Sequence, residues 1–513
     1  METPLTNKTL ELTLDILTLG QRDIAKTCSS RMDRLKYARE KWYFCRQETN
    51  LWAVIKKPHA YVIEVIQNDI NKLIAECSLQ ITKANDDTRT QLQVDRKKLM
   101  KFYADVASNG SSHLYNYLQE YLCDDEFAEK IDNNLGYLAF KDGVFNLKTG
   151  IFCRGLLPQD YITYTIESNY PKNKSLLDKT QLKVWQEFKK VLNNSDEHLD
   201  YFFSLIGHSF TGESHLVKSA YFMIDGSGDS RGDNGKTFIF NLIHQVMGKY
   251  VAKCKSSLLE KGNGTVHKQI AGLKGKRLIF MEEFPERQLN PDLFKELSDG
   301  GKIENQIMFG TVEPINIIGM LFALSNHTPK LDADETACYN RYKQVSFCSH
   351  FDRTGDREEE NPDELEYIAN TKLGDEILEN HSDEIVSLII EYGMRFYKSG
   401  IPRIPLSFLE AQEETKNAND EFLEYFENNL SKTNSDTDRL ALGQIVENSL
   451  ISKDKIKSAM KRMGFVYNSE LKGMGKDSKN NKYYKGGYTN VCWTVDEDNA
   501  VQQTCCNPNT AGM

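Results

Sequence analysis

The segment Gly232-Asp233-Asn234-Gly235-Lys236-Thr237 carries the residue types that polyphosphate binding needs. Glycines let backbone N–H groups wrap phosphate oxygens, a lysine brings charge to the β- and γ-phosphates, and a threonine hydroxyl can ligate Mg²⁺. Glycine is usual at position 230, which here is Ser230, and Gly226-Ser227-Gly228-Asp229 comes before it, so the loop reads as extended by a few residues. Gly-Lys-Thr alone is a weak signal, since such tripeptides also occur in surface turns.

Further groups follow at useful intervals. Leu278-Ile279-Phe280-Met281 is an apolar run that ends in Glu282-Glu283. Carboxylates at the exit of a buried strand can hold a metal ion and polarise water. Glu282 is assigned to the metal and Glu283 to the water, against the plainer reading of a strand ending in two solvated acids. The apolar stretch Ile315 to Leu324 leads into Ser325-Asn326-His327-Thr328-Pro329, where an amide can orient water beside a γ-phosphate. Asp332-Ala333-Asp334 then precedes Asn340-Arg341-Tyr342. Arg341 is a candidate arginine finger, a cation often supplied by a neighbouring subunit. Taken singly, Asn326 is a turn residue and Arg341 a surface cation.

The elements that would position these groups are legible around them. Tyr221 to Ile224 reads as a strand before the glycine loop, and Phe238 to Met247 as a helix after it. Strand, loop and helix in that order place ligands at the carboxyl ends of a parallel sheet. With the strands at 278–281, 315–324 and Val345 to Phe347, the pattern predicts a compact α/β ATPase core.

These ordered motifs, together with Phe294-Lys295-Glu296-Leu297-Ser298-Asp299-Gly300-Gly301, resemble the superfamily III helicases, among them the poxvirus-type and the phage or plasmid primase-helicases. The resemblance implies an AAA+-like P-loop core with ATP and Mg²⁺ as cofactors, and a hexameric ring that translocates on DNA with 3′-to-5′ polarity. It places Lys295 in an extra motif next to a hairpin entering the ring channel. That hairpin is expected from Ile303 through Gly310-Thr311 to Ile315, with Lys302 nearby; relatives commonly carry Arg or Lys there, and this chain offers Asn305, Gln306 and Met308. Upstream, Leu138 to Gly150 is similar to the small domain preceding the core in poxvirus-type proteins. Read from its residues it is a hairpin, with Asp142-Gly143 as the first turn and Lys148-Thr149-Gly150 as the second.

The chain has a formal charge of −10, which by itself does not suggest a nucleic-acid binder. Residues 450–490 nevertheless hold ten Lys or Arg against three Asp or Glu. Helices are expected over Leu440–Leu450 and Lys453–Met463, followed by strands at Phe465–Tyr467 and Val491–Thr494, a winged-helix pattern. Lys453, Lys457 and Lys461 would then contact phosphates, and Tyr483, Tyr484 and Tyr488 would stack on bases. The alternative is a solubilising basic face. The acidic run 356–366 reads as a solvated loop or helix start.

Residues 50–135 read as mainly helical, with Ile63, Ile66, Ile70, Leu73 and Ile74 forming an apolar stripe. No apolar run approaches 18 residues, and residues 1–5 resemble no signal peptide. Eleven irregularly spaced cysteines suggest reduced thiols and an intracellular, soluble protein, in host cytoplasm or nucleus if viral. The expected units are a helical and β-hairpin region (1–175), collar helices (176–215), the core (216–352), a helical segment (353–420), a winged-helix-like domain (421–495) and a tail (496–513). No room is seen for a primase domain, so a separate primase or polymerase is an expected partner, beside single-stranded and forked DNA. Two other readings stay open: a ring ATPase that packages nucleic acid or remodels protein, and a non-catalytic DNA-binding protein.

Overall fold

The computed structural model describes residues 20–107, 112–171, 178–227, 232–262, 266–282, 289–306, 312–331, 336–476 and 483–494. The first elements are α1 (Gln21–Ser29) and an antiparallel sheet of β1 (Leu35–Ala38), β2 (Lys41–Cys45) and β3 (Trp52–Ile55). They are followed by the long pair α2 (His59–Lys83) and α3 (Asp86–Ala107), then α4 (Ser112–Tyr121) and α5 (Asp125–Lys130). In α2 the buried line is Val62, Ile66, Ile70, Leu73 and Cys77, at helical spacing. Ile63 and Ile74 flank it, only partly buried. The three-stranded sheet was not expected, because residues 35–55 show no clean alternation of apolar and polar residues.

The expected hairpin is present as β4 (Tyr137–Phe140), β5 (Gly143–Asn146) and β6 (Ile151–Arg154), paired antiparallel in that order. Gly143 is required at the first turn, since a Cβ there would lie 2.2 Å from the Cys153 carbonyl oxygen.

The largest core surrounds a five-stranded sheet made of β7 (Ala220–Asp225), β8 (Val251–Cys254), β9 (Leu278–Met281), β12 (Met320–Ser325) and β13 (Tyr342–Phe347). Its order is β13-β7-β12-β9-β8, with every neighbour parallel. Strands β7, β9 and β12 are buried along their whole length, which explains their unbroken apolar sequence. Helices α6 (Lys183–Val191) and α7 (Asp196–Thr211), expected as a collar, contribute to this same core with α8 (Lys236–Met247). Each fully buried phenyl, such as Phe202, Phe240, Phe280 and Phe322, contributes about 1.5–3 kcal/mol.

Helix α9 (Val266–Ala271) precedes β9, and between β9 and β13 lie α10 (Pro291–Asp299), the hairpin of β10 (Gly301–Gln306) with β11 (Val312–Ile317), and α11 (Thr336–Arg341). The apolar run 315–324, expected as one strand, is therefore two. Gly319 lies in the break, where a Cβ would sit 2.7 Å from the Lys276 carbonyl oxygen, so the chain turns there from the hairpin into the sheet.

After β13 come the short parallel pair β14 (His350–Asp352) and β15 (Glu366–Ile368), then α12 (Leu373–Asn380), α13 (Ser382–Ser399), α14 (Leu406–Ala418) and α15 (Glu421–Asn429). Helix α13 crosses α7 closely: a Cβ on Gly207 would come within 2.5 Å of Tyr392. The last unit comprises β16 (Leu430–Lys432), β17 (Arg439–Ala441), α16 (Leu442–Ser449), α17 (Lys453–Arg462), β18 (Asn468–Lys476), β19 (Tyr483–Thr489) and β20 (Val491–Trp493).

Both helices of this unit and the strand at Val491–Trp493 lie where the sequence pattern places them, but the other strand and the pairing differ. Phe465–Tyr467 is not a strand, and the hairpin is built from the Lys/Gly/Asn-rich stretch itself, β18 against β19, with β17 on the other side of β19. Val491–Trp493 instead pairs with β16 in a separate two-stranded sheet. Backbone pairing does not require apolar side chains on both faces, and a strand at a solvated edge gives no alternation to read. Among the described residues no helix is long and apolar enough to cross a membrane, and the nine described cysteines form no disulfide with one another.

Candidate functional site

The loop at the carboxyl end of β7 is held by Asp225. Its Oδ1 accepts from the Ser227 N–H (2.9 Å) and hydroxyl (2.6 Å), and its Oδ2 from the Gly232 N–H (3.2 Å), so one carboxylate ties both ends of the loop. Burial opposes ionisation of Asp225, yet these bonds hold its carboxyl below the usual range. Gly232 (φ +77°), Asp233 (φ +50°) and Gly235 (φ +78°) are left-handed, which turns successive peptide planes ahead of α8. Such a run of backbone N–H groups at a helix N-terminus forms a cradle for anions. Only glycine fits at 235, because a Cβ there would meet Val191 Cγ1, at the end of α6, at 2.8 Å.

Lys236, the first residue of α8, is 4% exposed. Its Nζ donates to Asn234 Oδ1 at 2.6 Å and to Asn326 Oδ1 at 3.1 Å. Desolvation lowers its pKa to about 8, only partly offset by Asp225. A buried ammonium with two amide oxygens for company calls for an anion, and the buried Asn234 Nδ2 has no hydrogen-bond partner among the described residues. The sign of the pH dependence follows. The folded pKa lies below the unfolded one, so the empty fold carries a penalty below pH 8 that fades as pH rises toward 10.5. A polyphosphate needs the charged amine, so its affinity should fall above pH 8, by up to about tenfold per pH unit, with a proton taken up on binding. Calorimetric titration of ATP at pH 8.5 in buffers of different ionisation enthalpy would count that proton; zero uptake with a flat affinity from pH 7 to 9.5 would contradict the assignment.

Thr237 is exposed at the second position of α8. Asn326, just beyond β12, lies between Lys236 and the loop: a Cβ on Gly232 would lie 3.4 Å from its Nδ2. Glu282, just beyond β9, pairs through Oε2 with Lys253 Nζ of β8 at 2.5 Å, while its Oε1 is buried without a hydrogen-bond partner among the described residues. Glu283 lies outside the described residues.

Arg341 is not brought to this cradle. It ends α11 and precedes β13, whose Tyr342 aligns with Ala220 at the start of β7. The loop leaves the opposite end of β7, about 17–20 Å away for a six-residue strand. The Arg341 guanidinium is held by Asp299, Nε to Oδ1 at 2.7 Å and Nη2 to Oδ2 at 2.8 Å, and Nη1 donates to the Ala337 carbonyl at 2.8 Å. The bond from Arg341 holds the Asp299 carboxyl below the usual range.

The residues expected to meet nucleic acid are spread over two regions. Lys295 of α10 is half-buried, with Nζ 3.3 Å from Asp292 Oδ1. Lys302 of β10 reaches Glu129 of α5 at 3.1 Å. Asn305, expected to face a channel, is 1% exposed, and its Oδ1 accepts from His267 Nδ1 (3.1 Å); its place in β10 turns it inward, next to buried Ile303 and Ile315 of the hairpin base. Met308 and the hairpin tip lie outside the described residues. In the last unit Lys453, Lys457 and Lys461 recur at four-residue spacing on one side of α17. Lys453 and Lys461 are exposed, and Lys457 Nζ lies 4.4 Å from the Tyr467 ring centroid. Tyr488 does not present a face to solvent: it is 1% exposed in the core of this unit, edge-on to Tyr467. The Tyr484 ring packs against Gly443 of α16. Lys479 and Lys482 lie outside the described residues.

Sequence reasoning missed several neighbours of the cradle. Asp225 had a signal, an acid closing an apolar strand directly before the first loop glycine. Lys253, Val191 and Asn193 had none. Asn193 clamps the end of β13, donating to the Ser346 carbonyl (2.8 Å) and accepting from the Cys348 N–H (2.7 Å). Arg353 was hidden beside the acidic run, and its Nε lies 3.1 Å from Asp233 Oδ1.

Residues 26–192 match the family described as D5 N terminal like. The chain is similar to "Putative helicase L207/L206" of Acanthamoeba polyphaga mimivirus, 24% identical over 288 residues that cover 54% of this chain and 29% of that protein. It is also similar to "Putative helicase V13" of the Sputnik virophage, 21% identical over 394 residues, 73% of this chain and 47% of that protein. The chain thus spans less than half the length of either relative. Among solved structures, the NrS-1 C terminal region superposes at a TM-score of 0.34 and 11% identity, covering 64% of this chain and 80% of that one. The kinship read from the ordered motifs stands: this chain is a relative of viral helicases, with a D5 N terminal-like segment leading into its parallel-sheet core.

Proposed function

We propose that this chain is an ATP-dependent DNA helicase of a virus or mobile element, assembled as a hexameric ring that moves 3′ to 5′ along one strand. The observation that carries the reading is the buried Lys236 amine, held at the start of α8 between Asn234 and Asn326, on the carboxyl rim of a parallel sheet of order β13-β7-β12-β9-β8. That order and the loop after β7 support an AAA+-like P-loop core.

The backbone N–H groups of Gly232 to Lys236 hold the phosphates of ATP, and the Lys236 ammonium neutralises them. The exposed Thr237 hydroxyl and Glu282 Oε1, unpartnered among the described residues, are hard oxygen donors that fit Mg²⁺, which when bound would draw charge from the phosphate oxygens. Glu283 polarises and aligns the attacking water, Asn326 orients that water, and Arg341 of the next subunit stabilises the transferring phosphoryl group. DNA passes the hairpin carrying Lys302, beside Lys295. The last unit, two helices followed by a hairpin, acts as a winged-helix-like module whose Lys453, Lys457 and Lys461 hold phosphates. Single-stranded and forked DNA are the substrates, and a separate primase or polymerase completes replication.

Strand displacement on forked duplexes, with either the 3′ or the 5′ tail retained, tests this directly. Unwinding that needs ATP and the 3′ tail is expected; ATP turnover without displacement of either fork rejects the helicase reading. Deleting residues 421–513 should weaken single-strand binding and flatten its salt dependence by about 0.7 in log–log slope for each lost phosphate contact. An unchanged isotherm would remove the DNA-binding role of that unit.

A further inference from the structure

At β14 the chain passes the phosphate cradle on the β13 side of the sheet, away from β9 and Glu282. The Phe351 N–H donates to the Asp233 carbonyl at 2.9 Å, fixing this segment to the tip of the loop. Two residues on, Arg353 Nε lies 3.1 Å from Asp233 Oδ1, with its side chain 69% exposed. The backbone around Arg353 is set on both sides. Asp352 Oδ1 accepts from the Thr354 N–H (2.8 Å) and hydroxyl (2.6 Å), and Asp352 Oδ2 from the Arg357 N–H (2.9 Å). Arg357 is itself engaged by Glu366 at 2.9 Å, so Arg353 is the guanidinium directed at the loop.

Charge balance gives this arrangement a purpose. Asp225 and Asp233 lie on the rim that must accept a polyanion, Glu282 is already paired with Lys253, and Lys236 is the cation inside the cradle. A planar guanidinium on a long stem, already seated at the loop tip, can exchange one carboxylate for two phosphate oxygens with the same fork of donors. An exposed ion pair such as Arg353–Asp233 is worth little by itself, so the exchange costs little.

We propose that Arg353 is a phosphate-contacting residue acting on the nucleotide bound to its own chain, with Asp233 as its resting partner while the cradle is empty. This rests on the nucleotide-binding reading above and adds to it a second cation in cis, distinct from Arg341 in trans.

The full chain serves for the test, with ATP, ADP and AMP as probes. Arg353→Ala should raise KM for ATP about tenfold, the loss of one charge-assisted contact, and weaken ADP while leaving AMP nearly unchanged. Asp233→Asn, which breaks the same pair but keeps the arginine, should move KM the other way, two- to threefold down as a rough figure for a competing surface ion pair. Opposite signs identify a contact with phosphate. If both variants raise KM alike, the pair only braces the loop and the proposal falls; it falls as well if Arg353→Ala leaves KM unchanged. Lys236→Ala run beside them separates the two levels: undiminished turnover there rejects the nucleotide site itself, whereas lost turnover with an indifferent Arg353→Ala rejects only the role of Arg353.

Discussion

Lys236→Ala should abolish nucleotide hydrolysis, with kcat down about 10³-fold, while leaving the fold intact. The two halves of that expectation have one cause. The amine is buried and its pKa is lowered to about 8 by desolvation, so in the empty protein it is a charge held at a cost. Removing it takes away the cation that faces the phosphates and also relieves that cost. Thermal unfolding should therefore show a midpoint unchanged or raised as activity is lost. A variant that hydrolyses ATP normally would show that the cradle is not the site, and one that is inactive because it unfolds would show that Lys236 braces the loop.

Arg341 should prove essential to its neighbour and useless to its own loop. Arg341→Ala and Lys236→Ala are each expected to be inactive as pure samples, because an arginine finger is worth about 10³–10⁵ in rate. Mixed and allowed to reassemble, they should regain activity: a loop from an Arg341→Ala subunit, facing an arginine from a Lys236→Ala subunit, forms a complete site. With equal amounts and independent sites, about a quarter of the sites would be whole. The basis is the register of β13 with β7, which sets Arg341 and the cradle at opposite ends of the sheet, and the twofold grip of Asp299, which keeps the guanidinium in one orientation. No recovery in mixed samples, with assembly shown by sizing, would exclude a shared site.

The core was legible because its signals are local or periodic. The unbroken apolar runs of β7 and β9 and the glycine-lysine step into α8 gave strand, loop and helix in register with what is observed. Errors arose where the third dimension decides. The stretch 315–324 reads as one apolar strand because nothing in its composition reports that Gly319 must clear the Lys276 carbonyl. Asn305 is a polar residue on a hairpin, and only the partner offered by His267 explains why it is buried. Tyr488 was placed on the surface by its lysine-rich surroundings, although the ring is buried against Tyr467 in the core of this unit. The partners of the cradle from distant sequence, Val191, Lys253 and Arg353, had no motif of their own.

Val191 has a consequence for how the protein can be divided. The D5 N terminal-like match ends at residue 192, immediately after the side chain that presses on Gly235. Val184, Trp185 and Phe188, from the same short helix, are embedded among the aromatic residues that line the sheet. A scissor cut at that seam would leave the phosphate grip unsupported and an open aromatic hollow behind it. In the proposed ATP cycle, any movement of the loop would pass through Val191 into the leading segment, residues 26–192, which would then take part in the cycle instead of riding on it.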